Sequence, residues 1–186
     1  PENLAVIVKH QNIRWNYRQY QQHIDELAIG LLDLGIKTGD RVGIWSPNNI
    51  EWCLTQFATA KVGAILVCIN PAYRPEELQY ALTNVGCSTI ICAEKFKTSK
   101  YLEILYELAP ELMYCEPGKL TSARLPDLKH VIRMGDDVSP GMVNFNQLTR
   151  SLDPYDREKL IQVSLNLVPS DVINIQFTSG TTGVPK

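Results

Sequence analysis

Gly63-Ala64-Ile65-Leu66-Val67-Cys68-Ile69-Asn70-Pro71 is an unbroken apolar run set between a helix-ending glycine and an Asn-Pro turn. A strand with water on one face alternates apolar and polar residues, whereas a strand covered on both faces reads as continuously apolar. Residues 64–69 are therefore predicted as a strand buried on both sides. On its N-terminal side, residues 50–62 carry helical spacing after Ser46-Pro47-Asn48-Asn49, where Asn48 or Asn49 supplies the N-cap. Before that turn, Arg41-Val42-Gly43-Ile44-Trp45 is a short strand. On the C-terminal side, Asn70-Pro71-Ala72-Tyr73-Arg74 is a loop and Pro75 opens a helix as its first residue, with Glu76 and Glu77 at the positive helix end. That helix carries Leu78, Ala81, Leu82 and Val85 and stops at Gly86, and residues 88–93 form the next strand. Strand, helix, strand, helix, strand with short loops predicts an α/β fold with a mostly parallel sheet and flanking helices.

Working outward, Val6 to Val8 and Ile13 to Trp15 flank a polar turn and read as a hairpin. Residues 17–34 read as an amphipathic helix with Ile24, Leu27, Ala28, Leu31 and Leu32 inward and Gly35 just past its end. Downstream, the pattern predicts a helix over 98–108 stopped by Pro110, a weak strand over 112–115, and a loop over 116–127. It then predicts a strand over 130–134 and helices over 144–152 and 157–167. The segment between Met134 and Val172 has the weakest periodicity and is expected to run as a long excursion over the surface.

Length, 45% hydrophobic and 20% charged residues are ordinary for a globular chain. A formal net charge of −2 makes no electrostatic case for nucleic acid. The longest apolar stretch is far too short to span a bilayer. The five cysteines (Cys53, Cys68, Cys87, Cys92, Cys115) contain no Cys-x-x-Cys pair, and three lie in or beside strand-like runs, so buried free thiols in a reducing compartment are expected. His10, His23 and His130 match no ligand spacing, and no metal site is expected. Asp136-Asp137 reads as an acidic surface turn, and Lys95, Lys97 and Lys100 as a solvated basic cluster. Trp15, Trp45 and Trp52 read as packing residues. The Asn70–Arg74 loop follows a buried strand, where α/β proteins place functional loops, although subdomain packing explains it as well.

The chain ends on Gln176-Phe177-Thr178-Ser179-Gly180-Thr181-Thr182-Gly183-Val184-Pro185-Lys186, after the strand-like Val172, Ile173, Ile175 and Phe177. Ser/Thr/Gly/Pro clusters also make ordinary surface turns. Here a strand delivers two glycines, which expose backbone N–H groups and accept left-handed angles, together with four hydroxyls and a lysine cation. That combination reads as a phosphate cradle, with an ordinary surface turn as the other reading of its composition. It is not a Walker loop, because the lysine does not directly follow the second glycine and no Ser or Thr follows the lysine.

The order of residues 176–186 resembles the nucleotide-binding signature of the adenylate-forming enzymes: acyl-CoA synthetases, luciferases and peptide-synthetase adenylation domains. The resemblance extends over the whole chain. Trp15-Asn16-Tyr17 is similar to the family's N-terminal hairpin and first helix, and Gly39 to Ile44 followed by Pro47-Asn48 to its first sheet strand and turn. Gly63 to Pro71 with Tyr73-Arg74, Glu77-Leu78 and Tyr80 resembles a stretch of the acyl-CoA synthetases. Glu94 to Thr98, Arg124 to Leu128 and Ile173 to Phe177 resemble the mitochondrial medium-chain branch.

The resemblance implies that this is an N-terminal fragment of a two-domain enzyme, cut at both ends. Residues 1–171 would form the first α/β subdomain, and 172–186 the strand and phosphate loop that begin the nucleotide site. Substrates and partners would be a fatty acid, ATP as its Mg²⁺ complex, and CoA, acting through an acyl-adenylate. The nucleotide-contacting set would be Thr178, Ser179, Gly180, Thr181, Thr182, Gly183 and Lys186, with Val184 and Pro185 shaping the loop. The main catalytic residues would lie outside this chain, with Lys186 and Thr181 assisting adenylation, and the fragment alone would be inactive. The resemblance implies the mitochondrial matrix, with the cytoplasm as the alternative. A carrier-loading or luciferase-like adenylation enzyme and a non-catalytic α/β binding protein stay open as alternative functions.

Overall fold

A computed structural model describes residues 1–178. Strands β1 (Leu4–Val8) and β2 (Ile13–Asn16) form the expected antiparallel hairpin. Helix α1 (Tyr17–Asp33) starts at a capping box: the Asn16 side chain accepts the Gln19 amide at 2.9 Å, and the Gln19 side chain accepts the Asn16 amide at 3.0 Å. There follow β3 (Arg41–Trp45), α2 (Ile50–Lys61), β4 (Ile65–Cys68), α3 (Pro75–Asn84) and β5 (Cys87–Cys92). A two-residue hairpin, β6 (Lys95–Phe96) and β7 (Ser99–Lys100), leads into α4 (Tyr101–Leu108). The described chain closes with β8 (His130–Arg133), β9 (Val143–Asn144), α5 (Pro154–Ser164) and β10 (Asn174–Gln176).

Six strands form one sheet in the order β10-β4-β3-β5-β8-β9, and every neighbouring pair is parallel. The alternation of side chains across the strands divides the core in two. Val42, Ile44, Leu66, Ile91 and Ile132 face a layer built on α1, α2 and α5. Trp45, Val67, Ile69, Ile90, Cys92 and Val131 face a layer built on α3, α4 and the leucines of the loop 114–128. Both faces are buried, which is why the strands read as apolar runs.

Two glycines are required where they stand. Gly63, at φ +73, turns the chain from α2 toward β4, and a Cβ there would meet Leu167 and Thr38 side chains within 3 Å. Gly30, inside α1, lets the backbone of Leu148 approach: a Cβ would sit 2.1 Å from the Leu148 carbonyl oxygen.

Four local expectations are corrected. The helix expected over 98–108 begins at Tyr101, because 95–100 folds back on itself around Lys97 at φ 52. Instead of a strand over 112–115, Pro110–Met113 is a single 3₁₀ turn that drops Leu112 into the core. Instead of a helix over 144–152, Val143–Asn144 pairs with β8 and only one 3₁₀ turn follows. Asn144 diverts the chain: its amide donates to the carbonyls of Gly135 (2.6 Å) and Asp137 (3.2 Å) while its oxygen caps the Asn146 amide. The final helix starts at Pro154, three residues ahead of the predicted start, on the Asp153 cap.

The stretch from 134 to 172 is a surface excursion only in part: most of 151–172 is exposed, but the chain before it enters the core. It supplies an edge strand of the sheet and buries Phe145, Leu148 and Leu160, each worth about 2 kcal/mol of apolar burial. An ion network binds it to α1. Arg150 donates to Asp156 (2.8 Å) and to Asp33 (3.1 Å), and Lys159 donates to Asp33 at 3.0 Å. Asp156 is buried, and its other oxygen accepts the Asp153 amide at 3.0 Å. The Arg150 guanidinium, helped by the backbone amide, holds the Asp156 carboxyl down at about 2 from its ordinary 3.8.

Two outcomes follow from this packing. Gly30→Ala gains about 1 kcal/mol of helix propensity but forces apart two backbones, at the upper end of the roughly 1–3 kcal/mol typical of overpacking. The expected net loss is about 2 kcal/mol in denaturant unfolding, and unchanged or raised stability would refute the close approach. The folded-state pKa of Asp156 lies below its unfolded value, so its stabilisation is fully present above pH 4 and disappears as pH falls from about 4 toward 2. Thermal unfolding of Asp156→Asn should therefore start lower at pH 7 and fall less steeply through that window than the parent chain.

Candidate functional site

The parallel strands all deliver their C-terminal ends to one edge of the sheet. Ile44 pairs with Cys68, Trp45 with Cys92, and Cys68 with Gln176. After β3 the chain turns to α2 on one face toward β4, and after β5 it turns to α4 on the opposite face toward β8. Adjacent strands whose connections leave in opposite directions open a crevice at their carboxyl ends. β10 ends beside β4 on the same carboxyl edge of the sheet, and Phe177 packs into the same core as Trp45, Tyr73 and Tyr101.

Of the residues expected to contact nucleotide, Thr178 lies here, exposed at the end of β10. Ser179, Gly180, Thr181, Thr182, Gly183, Val184, Pro185 and Lys186 lie outside the described residues.

Two neighbouring helix starts, which could otherwise attract an anion, are made unfavourable to one by the protein itself, α2 by side-chain caps and α3 by its first residues. At α2 the Asn49 side chain accepts the Trp52 amide at 2.8 Å, and Gln11 reaches from the N-terminal hairpin to accept the Ile50 amide at 2.7 Å. The Gln11 amide group also donates to the Glu51 carboxylate at 2.9 Å. At α3 the first residue is Pro75, which has no N–H, and Glu77 accepts the Arg74 amide at 2.8 Å. Glu51, Glu76 and Glu77 make both starts locally negative.

The Asn70–Arg74 loop is held from below. Trp45 and Tyr101 stack with ring centroids 3.7 Å apart and planes at 15°. The indole N–H of Trp45 donates to the Asn70 carbonyl at 3.1 Å, and the Tyr101 hydroxyl donates to the Pro71 carbonyl at 2.6 Å. Burial pushes the Tyr101 hydroxyl far above the usual tyrosine range, so it remains a donor. Within the loop, the Asn70 side chain accepts the Ala72 amide at 2.9 Å, and the Asn70 carbonyl accepts the Tyr73 amide at 3.1 Å.

The remaining candidates are dispersed. His23 pairs with Glu26 at 3.0 Å and stacks on Trp15, away from the strand ends. His130 is half-buried at the start of β8, and burial lowers its pKa. Asp136 accepts from Asn146 at 2.7 Å, and Asp137 lies 3.5 Å from Arg133, so both belong to the 135–141 turn. Lys100 pairs with Glu103, and Lys97 lies over the Phe96 ring. Among the described residues no group of three or more His, Cys, Asp or Glu side chains is arranged to hold a metal. All five cysteines are free, and burial pushes Cys87 and Cys92 up to about 12, where they are inert. Trp45 was read from sequence only as packing. Tyr101 and Gln11 carried no signal, because their partners lie 30 and 39 residues away.

The family model of AMP-binding enzymes matches residues 1–186. The chain belongs to the AMP-binding enzyme family. Within this AMP-binding family it is similar to the mitochondrial medium-chain acyl-CoA ligase ACSF2 of Danio rerio, at 42% identity over 186 residues. It is likewise similar to the ligase of that name from Mus musculus, at 44% over 189 residues. Both matches cover 100% of this chain and 30% of the relative, so the chain spans about 30% of the length of these curated relatives. Among solved structures, apo MbtA of Mycobacterium smegmatis superposes with a TM-score of 0.73 at 24% identity, covering 100% of this chain and 30% of that one. The anthranilate CoA ligase AuaEII, in complex with anthranoyl-AMP, gives a TM-score of 0.70 at 23% identity, covering 94% and 29%. At such identities the likeness is one of fold. No helix among the described residues is long and apolar enough to cross a membrane.

Proposed function

We propose that this chain is the N-terminal part of a longer ATP-dependent acid–thiol ligase that activates a medium-chain fatty acid. In the first step the acid's carboxylate attacks the α-phosphate of ATP, supplied as its Mg²⁺ complex, giving acyl-adenylate and pyrophosphate. In the second, the thiol of CoA attacks the acyl carbon, the thioester forms, and AMP leaves. On this reading residues 1–171 are the first α/β subdomain and 172–186 begin the nucleotide site. Thr178, Ser179, Gly180, Thr181, Thr182, Gly183 and Lys186 contact the β- and γ-phosphates, where charge gathers on the leaving pyrophosphate, and Val184 with Pro185 shapes the loop. Lys186 and Thr181 assist adenylation.

The observation that carries the reading is positional. β10 ends at the carboxyl edge of a parallel sheet and leads in sequence into the glycine- and hydroxyl-rich stretch ending in Lys186, while the start of α2 is already capped and α3 opens on Pro75 followed by two carboxylates. Names of relatives at 42% and 44% identity support the acid–thiol step, the medium-chain preference and a mitochondrial setting over the luciferase-like and carrier-loading alternatives.

The full-length ligase should exchange pyrophosphate into ATP only when a carboxylic acid is added, best with medium-chain acids in a series from acetate to palmitate. Strong exchange with an amino acid and none with any fatty acid would move it to the adenylation-domain class. Exchange with no acid would remove the reading. Lys186→Ala should slow adenylate formation by one to three orders of magnitude, roughly 2–4 kcal/mol. Thioester formation from supplied acyl-adenylate should change far less, and equal losses in the two half-reactions would assign Lys186 to folding.

A further inference from the structure

We propose that Trp45 and Tyr101 are a positioning pair: their stacked rings hold the Asn70–Arg74 loop in place and so fix the part of the sheet's carboxyl edge beside which β10 delivers Phe177 and Thr178. The catalytic part of this inference rests on the ligase reading above.

Neither side chain is exposed, so the indole N–H and the phenol O–H have no access to water. Each must find an acceptor inside the protein, because an unmet buried donor is costly. The acceptors they find are consecutive carbonyls, of Asn70 and Pro71. The two donors come from different elements, Trp45 from the end of β3 and Tyr101 from the start of α4, and the 3.7 Å stack locks them together. The backbone ties the same corner: the Ile69 amide donates to the Ile44 carbonyl (3.1 Å), the Ala93 amide to the Trp45 carbonyl (3.1 Å), and the Tyr101 amide to the Glu94 carbonyl (3.0 Å). The ends of β3, β4 and β5 and the start of α4 thus meet at one aromatic pair.

The coupling to the site runs through β4. Cys68, two residues before Asn70, is the register partner of Gln176, two residues before Thr178. Phe177 packs into the core cluster that holds Trp45, Tyr73 and Tyr101. A shift of the 70–74 loop would therefore move the packing beneath Phe177 without touching β3 itself. Rigid support beneath a site is what keeps transition-state contacts at working distance.

Tyr101→Phe tests this with little risk to folding, since it keeps the stacked ring and removes only the donor. Tyr106→Phe is the control. It lies on the same helix and loses a comparable bond, to the Pro140 carbonyl at 3.0 Å, at a different corner. Amide hydrogen exchange on the full-length protein is the first readout. Tyr101→Phe should speed exchange at Ala72, Tyr73, Phe177 and Thr178 by about tenfold, with Val42 to Ile44 unchanged and Tyr106→Phe silent at all of them. No change at 72–73, no change at 177–178, or a uniform rise that includes β3 would each overturn the proposal.

The second readout is the rate of each half-reaction per folded enzyme. Tyr101→Phe should lower the turnover of acid-dependent pyrophosphate exchange about tenfold, equivalent to about 1.4 kcal/mol, while thioester formation from supplied acyl-adenylate stays within about twofold. Equal losses in both, or none, would overturn the catalytic part. If the unmodified enzyme shows no acid-dependent exchange, the ligase reading fails, and hydrogen exchange still decides the clamp on its own.

Discussion

Strand β3 is hydrogen-bonded along both edges, to β4 and β5, and covered on both faces. Such a strand has nowhere to place a polar side chain in its interior, and Val42-Gly43-Ile44-Trp45 contains none. Gly43 even lacks room for a methyl group, since a Cβ there would sit 2.9 Å from the Ile69 side chain. From this central position the chain steps to β4 across one face and returns to β5 across the other. Right-handed crossovers in a parallel sheet then leave a crevice between the carboxyl ends of β3 and β5, where the strand order reverses. The place where a ligand can enter is thus a consequence of the order in which strands are laid down.

What fills that edge is divided between closed and open features. The start of α2 is capped by Asn49 and by Gln11 of the N-terminal hairpin, so the hairpin is joined to the edge of the sheet, while α3 opens on Pro75, which has no N–H, and on the carboxylates of Glu76 and Glu77. Between them the Asn70–Arg74 loop is held through its carbonyls, its Ala72 and Tyr73 amides being taken up within the loop. Closing these groups spares them from competing for an anion. The glycine- and hydroxyl-rich stretch that follows β10 in sequence is the part of the chain most like the adenylate-forming signature.

The family assignment spans all 186 residues, yet solved neighbours with TM-scores of 0.70 and 0.73 share only 23% and 24% of their residues with it. A fold can persist at that distance because cores tolerate exchange among apolar residues when volume and pattern are kept. Two-faced strands and one-faced helices set such a pattern in this chain, and it is readable without any partner structure. Positions with a defined polar task, such as Asn49 at a helix start, tolerate less.

From its amino acids alone this protein determined the local units and their class. The apolar run at 64–69, the Asn49 cap, Pro75 at a helix start, and Gly35, Gly63 and Gly86 at helix ends each act through residues close in sequence, and each was legible as such. The glycine- and hydroxyl-rich order of 176–186 is readable for the same reason, since its residues are consecutive. Tertiary structure alone decided the strand order, the burial within 134–172 and the reach of Gln11 to Ile50. It also decided the meeting of Trp45 and Tyr101 over two carbonyls of a loop that belongs to neither. The hydrogen bonds among them join residues 25 or more positions apart. Local pattern carries no trace of them, because a hydrogen bond or a stacked ring depends on where the chain brings two groups together and not on what lies beside either of them in sequence.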